Sequence, residues 1–233
     1  MDSFTDEGIC RFCLKTFSGR SIARHLVACQ AKKRQDEQEA AGGQDSPPIY
    51  HIKIQSYKPY WLNIEMPATA TLVDLDQFLR DIWLECCDHL SEFKIGGESY
   101  LVPMAMKHAR DPDAKSMQHV QLRQVLSVKD RFEHQYDFGS TTYLEGQVYA
   151  TRDGVLKDKV RILARNAPPQ FQCENCQAQA TELCTECYQM YCQDCLEEHG
   201  CSQEMALPVV NSPRMGVCGY AGETDFDDFN LEY

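Results

Sequence analysis

Positive charge is almost missing from the last part of this sequence. From Asn166 to Tyr233 a single base, Arg214, stands against 12 Asp and Glu. Such a segment repels a phosphate backbone, so no nucleic-acid contact is expected there. The opening residues, MDSFTDEGICRF, lack both the basic start and the apolar run of a secretory leader. No stretch reaches the roughly 18 apolar residues of a membrane span. These absences predict a cytoplasmic protein with no membrane partner. Catalytic constellations are missing too. Asp137-Phe138-Gly139 has no accompanying glycine-rich loop or H-R-D, so a kinase is excluded. His89, His108, His119 and His134 are scattered, with no paired nucleophile, and read as ordinary surface or core histidines. No catalytic residue is expected.

What the chain has is cysteine, 13 in 233 residues. Eleven fall in two short clusters, mostly as C-x-x-C pairs with histidine nearby. In a chain without a leader that pattern favours metal over disulfides. The other two, Cys86 and Cys87, read as core packing on a helix.

Charge and composition set the expected boundaries. Residues 1–34 carry seven Lys/Arg and three Asp/Glu, a net of +4, and residues 166–233 a net of −11. Between them, QDEQEAAGGQDSPP (Gln35–Pro48) is polar, lacks apolar periodicity and reads as a linker. The expected organisation is a head over 1–34, a linker over 35–48, a domain over 49–165, a cysteine-rich module over 171–220 and an acidic tail over 221–233.

In the head, CRFCLKTFSGRSIARHLVAC spells C-x2-C-x11-H-x3-C. Cys10 and Cys13 would share a tight knuckle. His25 and Cys29, four apart, would share one helix face. Four such donors suit tetrahedral zinc, and Phe17 and Ile22 fall where a small ββα core needs them. The motif resembles a C2H2-type finger with cysteine as last ligand and a loop shortened by one. That resemblance places Ser18, Ser21 and Arg24 at base-reading positions and leaves Arg11, Lys15 and Arg20 for phosphates. One finger covers about three base pairs, so protein contact is the competing role.

Near the C-terminus the spacing is C-x2-C-x7-C-x2-C-x4-C-x2-C-x3-H-x-C, from Cys173 to Cys201. Eight donors in 29 residues suffice for two tetrahedral ions. So short a segment, poor in large aliphatics, needs metal to fold. The spacing is similar to a B-box zinc finger and, more distantly, to a MYND finger. That resemblance implies an interleaved cross-brace, with Cys173, Cys176, Cys192 and Cys195 on one ion and Cys184, Cys187, His199 and Cys201 on the other. It also implies contacts with proteins. Cys218 is an alternative to Cys201 as the last ligand.

The middle of the chain alternates between strand and helix signals. IYHIKIQ and YWLNIEM read as a hairpin. TLVDLDQFLRDIWLECC has helical apolar steps, with Thr71 and Asp74 forming a capping box. HLSEFKIGGESYLVP reads as two strands around Gly96-Gly97, Val120–Leu126 as a short helix, and RFEHQYDFG, TTYLEGQVYAT and KVRILAR as three more strands. The order β-β-α-β-β-α-β-β-β predicts an α+β fold, a mixed or antiparallel sheet with one principal helix. The opening strand, the TLVDLDQFL helix, Glu92–Tyr100, Leu126–Asp130 and Tyr136–Gly139 resemble the plasmid pRiA open-reading-frame-three-like family, which includes passenger proteins of insertion elements. The family implies the fold and a mobile-element context, but no activity. The whole is expected to be a non-enzymatic adaptor holding about three Zn2+, with a protein partner. Nucleic acid is the alternative partner, through residues 1–34.

Overall fold

The computed structural model describes residues 6–39, 47–109 and 111–222. These form two compact units, Asp6–Phe78 with Leu90–Ala167, and Leu79–His89 with the chain from Pro168 onward. Residues 40–46 of the expected linker and 223–233 of the expected tail lie outside the described residues.

The first unit begins with β1 (Glu7–Cys10), β2 (Thr16–Ser18), α1 (Ile22–Ala28) and α2 (Gln30–Glu39). The expected hairpin follows as β3 (Ile49–Gln55) and β4 (Trp61–Pro67), then α3 (Leu72–Leu79). After Leu90 come β5 (Ser91–Ile95), β6 (Glu98–Leu101), β7 (Lys115–Ser116) and α4 (Leu122–Val125). β8 (Arg131–Tyr136), β9 (Thr142–Arg152) and β10 (Arg161–Asn166) complete the unit. The strands form one ten-stranded sheet in the order β2-β1-β10-β4-β3-β9-β8-β5-β6-β7. Every pairing is antiparallel except β6 with β7. The fold is thus α+β with a large, mainly antiparallel sheet.

Local chemistry explains the elements. Thr71 caps α3: its N–H donates to Asp74 Oδ2 at 2.8 Å while the Asp74 N–H donates back to Thr71 Oγ1 at 3.2 Å. Gly96 and Gly97 take φ of 59° and 88°, which the two-residue β5–β6 turn demands. On one face of the sheet Ile52, Ile54, Leu62, Ile64, Phe93 and Val148 are buried. Over that face Asp76 of α3 accepts a 2.7 Å hydrogen bond from His134 Nε2, and both residues are buried.

The head is not uncoupled from the sheet. β1 pairs with β10, Gly8 opposite Asn166 and Cys10 opposite Ala164. The Arg11 N–H donates to Leu163 O at 3.1 Å. Trp61 of β4 packs with Ile22, Leu26, Cys10 and Cys29 of the head and Leu163 of β10 in one cluster. Gly8 and Gly19 let the indole in, because a Cβ on either would come within 2.6 Å of the Trp61 ring. A finger this short buries little apolar surface alone, and Trp61, Leu163 and Ala164 of the sheet complete the head's core.

The expected boundary at Gln35 is likewise corrected, because Gln35–Glu39 is the second half of α2. Its charges are held against the sheet rather than solvated. Lys32 reaches Glu65 of β4 at 2.6 Å and Asp36 at 2.7 Å. Arg152 Nη2 reaches Glu65 at 2.7 Å, Arg161 Nη1 reaches Glu39 at 2.8 Å, and Arg161 Nη2 also pairs with Asp36 and Glu65. Burial alone would raise the Glu65 carboxyl. The Arg152 hydrogen bonds and the charges of Lys32 and Arg161 outweigh it and hold the group at about 2.

The second unit holds a π-helical turn (Arg80–Leu84), β11 (Glu182–Cys184), β12 (Met190–Tyr191), α5 (Gln193–Glu197) and β13 (Ala206–Pro208). Its small sheet runs β12-β11-β13. Cys86 and Cys87 are not helical and not core. They follow the π-turn in a loop, Cys86 partly buried and Cys87 exposed.

Four variants test the docking. Glu65→Gln keeps the shape but leaves three cations short of their shared carboxylate, and should cost about 3 kcal/mol in urea unfolding. Glu39→Ala, at the more exposed edge, should cost under about 1 kcal/mol. Trp61→Ala should cost about 3–5 kcal/mol, and Cys13→Ser should lower the melting temperature of the sheet as well as unfold the head. A sheet whose melting ignores Cys13→Ser would show the two to be independent.

Candidate metal centres

Cys10 ends β1, Cys13 lies in the following turn, His25 projects from α1 and Cys29 caps that helix. Their donor atoms lie within 4.8 Å of one another. Cys10 Sγ and Cys29 Sγ are 3.9 Å apart, and Cys13 Sγ and His25 Nε2 are 3.3 Å apart. Metal bonds of about 2.3 Å to sulfur and about 2.0 Å to nitrogen put neighbouring corners of a tetrahedron roughly 3.5–3.8 Å apart, so the spacing fits a single four-coordinate ion. The His25 ring is held by stacking on Phe17, centroids 3.8 Å apart and planes 20° from parallel.

Two further groups form in the second unit, Cys173 with Cys176, Cys192 and Cys195, and Cys184 with Cys187, His199 and Cys201. Cys176 and Cys192 sulfurs are 3.6 Å apart, and Cys187 Sγ lies 3.4 Å from His199 Nε2. The two groups interleave along the chain. The module's buried centre consists of Cys173, Cys184 and Tyr191 packed by further cysteines and Leu196. Tyr191 leans on the His199 ring, centroids 4.3 Å apart. Cys201 belongs to this group, and Cys218 lies elsewhere.

One backbone device builds all three groups. In each, the first cysteine of C-x2-C donates its N–H to the carbonyl five residues on, at Lys15, Ala178 and Gln189, and its own carbonyl accepts from the residue four on. That fourth residue, Leu14, Gln177 or Tyr188, takes a φ of 57–62°. None is glycine, so each knuckle carries left-handed strain, and the side chains of Leu14 and Tyr188 stand exposed at the tips. The turn aims backbone N–H groups at sulfur. Burial raises the Cys173 and Cys184 thiols. Backbone donors from Cys192 and Cys176 at the first, and from Cys187 and Glu186 at the second, outweigh it and draw them to about 6 and about 7, toward the thiolate a metal takes.

A fourth group was not legible in the sequence. Cys86, Cys87, His89 and Cys218 also bring four donors within 4.8 Å. The first three lie in a C-C-x-H run read as core, and the last ligand lies 129 residues beyond His89. The one available signal was arithmetic: ten of the 13 cysteines are taken by the three expected groups, and these are the remaining three.

The other singled-out residues lie outside these groups. Arg11, Lys15, Arg20 and Arg24 are exposed on the head, while Lys32 of the same basic segment is buried in the ion network. Ser18 and Ser21 hydroxyls bond one another at 3.0 Å. His51 is buried against Asn63 Oδ1 at 2.9 Å, and burial lowers it to about 4, so it is neutral. Away from the head, a groove of about 530 Å³ is lined by Lys53, Lys94, Arg131, Glu133, Glu145 and Gln147, of mixed charge. Among the described residues no helix is long and apolar enough to cross a membrane.

No curated protein matches the chain. Among solved structures, a protein of unknown function from Methanosarcina mazei Go1 is similar, at 17% identity and a TM-score of 0.41, over 54% of this chain and 71% of its own. The sequence of residues 49–170, more than half of the chain, matches the family model of the plasmid pRiA4b ORF-3-like proteins. Those residues carry eight of the ten strands of the large sheet, β3 to β10, and the chain belongs to the plasmid pRiA4b ORF-3-like protein family.

Proposed function

We propose that this protein is a non-catalytic, zinc-bound adaptor that contacts other proteins. The observation that carries the reading is the closed donor set. Each group supplies four Cys or His donors, which completes a tetrahedral shell and leaves no position for water or substrate, the pattern of structural rather than catalytic zinc. Soft thiolates with imidazole select zinc among the common divalent ions, and 13 free thiols suit a reducing compartment such as the cytoplasm. On this reading the head is a C2HC finger and the segment from Cys173 to Cys201 a B-box-like cross-brace. The acidic C-terminal segment disfavours phosphate and leaves protein as its partner.

A second reading keeps nucleic acid as the head's partner, in the mobile-element setting the family suggests. Arg11, Lys15, Arg20 and Arg24 stand exposed together on one small module, which favours it. Such binding would rest on a few phosphates, so it should be weak and fall steeply between low and physiological salt.

Affinity purification of the tagged full chain from its host, with and without nuclease, separates the two. The adaptor reading expects a protein partner that survives nuclease, is retained by Arg20→Ala/Arg24→Ala, and is lost in Cys184→Ser or after chelation. A partner released by nuclease and lost in the arginine variant would put the head-borne nucleic-acid reading first. Chelation should also unfold the cysteine-rich module, seen as rapid proteolysis within residues 171–210, because its buried centre is made of ligands. A module that keeps its protease resistance without metal would overturn the structural-zinc assignment.

A further inference from the structure

From the convergence of Cys86, Cys87, His89 and Cys218 we propose a fourth zinc site, a Cys3His staple that joins the loop after the π-helical turn to the C-terminal segment. The edges fit one ion. Cys86 and Cys87 sulfurs are 3.7 Å apart, Cys87 and Cys218 sulfurs 3.5 Å, and His89 Nε2 lies 3.0 Å from Cys87 Sγ and 3.2 Å from Cys218 Sγ. These compare with 3.3–3.9 Å in the other three groups. The sulfurs are far outside the roughly 2.05 Å of a disulfide.

Both strands of chain are pre-set to deliver these donors. On one side Arg80, almost fully buried, straps the loop at its two ends, reaching Glu85 Oε2 at 2.8 Å and the His89 carbonyl at 2.7 Å. Asp88 takes a φ of 58°, which turns the chain between Cys87 and His89. On the other side Ser212 Oγ donates to the Trp83 carbonyl at 2.6 Å, and Trp83 Nε1 donates to the Asn211 carbonyl at 3.1 Å. Cys218 itself takes a φ of 52°, between Gly216 at 77° and Gly219 at 71°. A cysteine in the left-handed region costs about 1 kcal/mol or more, and here the strain points its sulfur at the other three donors.

Charge agrees. Three thiolates, a neutral imidazole and Zn2+ leave a net negative centre. The sole base after Arg165, Arg214, is fully buried, with Nε and Nη2 each 3.4 Å from Cys86 Sγ. A guanidinium donating to a ligand sulfur orients that ligand and offsets its charge. Arg214 is therefore a positioning residue for the site.

The test is zinc counting by native mass spectrometry on the full chain, with the metal supplied during expression. Wild type should carry four zinc ions. Cys218→Ser should carry three, and His89→Cys, which restores a four-donor shell, should carry four. Three in wild type, or an unchanged count in Cys218→Ser, would overturn the proposal. Timed alkylation of the wild type gives the same answer without a variant that must fold. Cys86, Cys87 and Cys218 should be protected in the zinc-loaded protein and become labelled after chelation. Immediate labelling of these three while the other ten stay protected would equally sink the fourth site.

Discussion

Sulfur and imidazole donors crowded to within 4.8 Å set the terms for the rest of this molecule. Thiolates at such distances repel one another, and a cation among them turns that repulsion into the largest local attraction available. The dependence differs between the two units. In the second, Cys173, Cys184 and Tyr191 are the buried centre of the cysteine-rich module, with further cysteines and Leu196 packed against them. In the first, the Cys10–Cys29 group completes a core that Trp61 and Leu163 already provide from the sheet.

The head and sheet illustrate how a small metal module gains stability from its surroundings. β1 extends the sheet at β10, so its backbone groups are paired, and Trp61 fills the hollow left by Gly8 and Gly19. Around Glu65 an array of Lys32, Arg152 and Arg161 with Asp36 and Glu39 closes over the same face. A lone buried carboxylate would be costly, but three cations within reach make its ionised form the stable one. Phe12 adds its ring face, with Lys32 and Arg161 at 5.9 and 5.3 Å from the centroid. Ile22 and Leu26 of α1 pack in the same cluster as Trp61, and Arg24 of that helix is exposed.

Local patterns were legible wherever the determinant was short-range. The Thr71–Asp74 box, the Gly96-Gly97 turn, the apolar steps of α3 and the alternation of β3 each depend on neighbours a few residues away, and each stands where the sequence puts it. The same holds for the three C-x2-C knuckles, whose hydrogen bonds span four or five residues. Two readings failed for one reason. Gln35–Glu39 looked like solvated linker because only Lys32, which pairs with Asp36, is close in sequence, and the cations that hold Asp36 and Glu39 to the sheet, Arg152 and Arg161, are on distant strands. Cys86 and Cys87 looked like core because their fourth companion is Cys218.

By itself, then, the sequence determined the α+β class, the knuckles and the twelve Cys and His residues that form three of the donor groups, but not the short strand β7, because helix periodicity, turn chemistry and ligand spacing are properties of contiguous chain. Only the tertiary structure decided that the head is an edge of the sheet, that α2 is held by Glu65 and its cations, and that three left-over thiols and His89 meet. Those outcomes depend on which distant residues are brought within a few ångströms, and charge pairing and metal-donor geometry act over such distances without regard to separation along the chain.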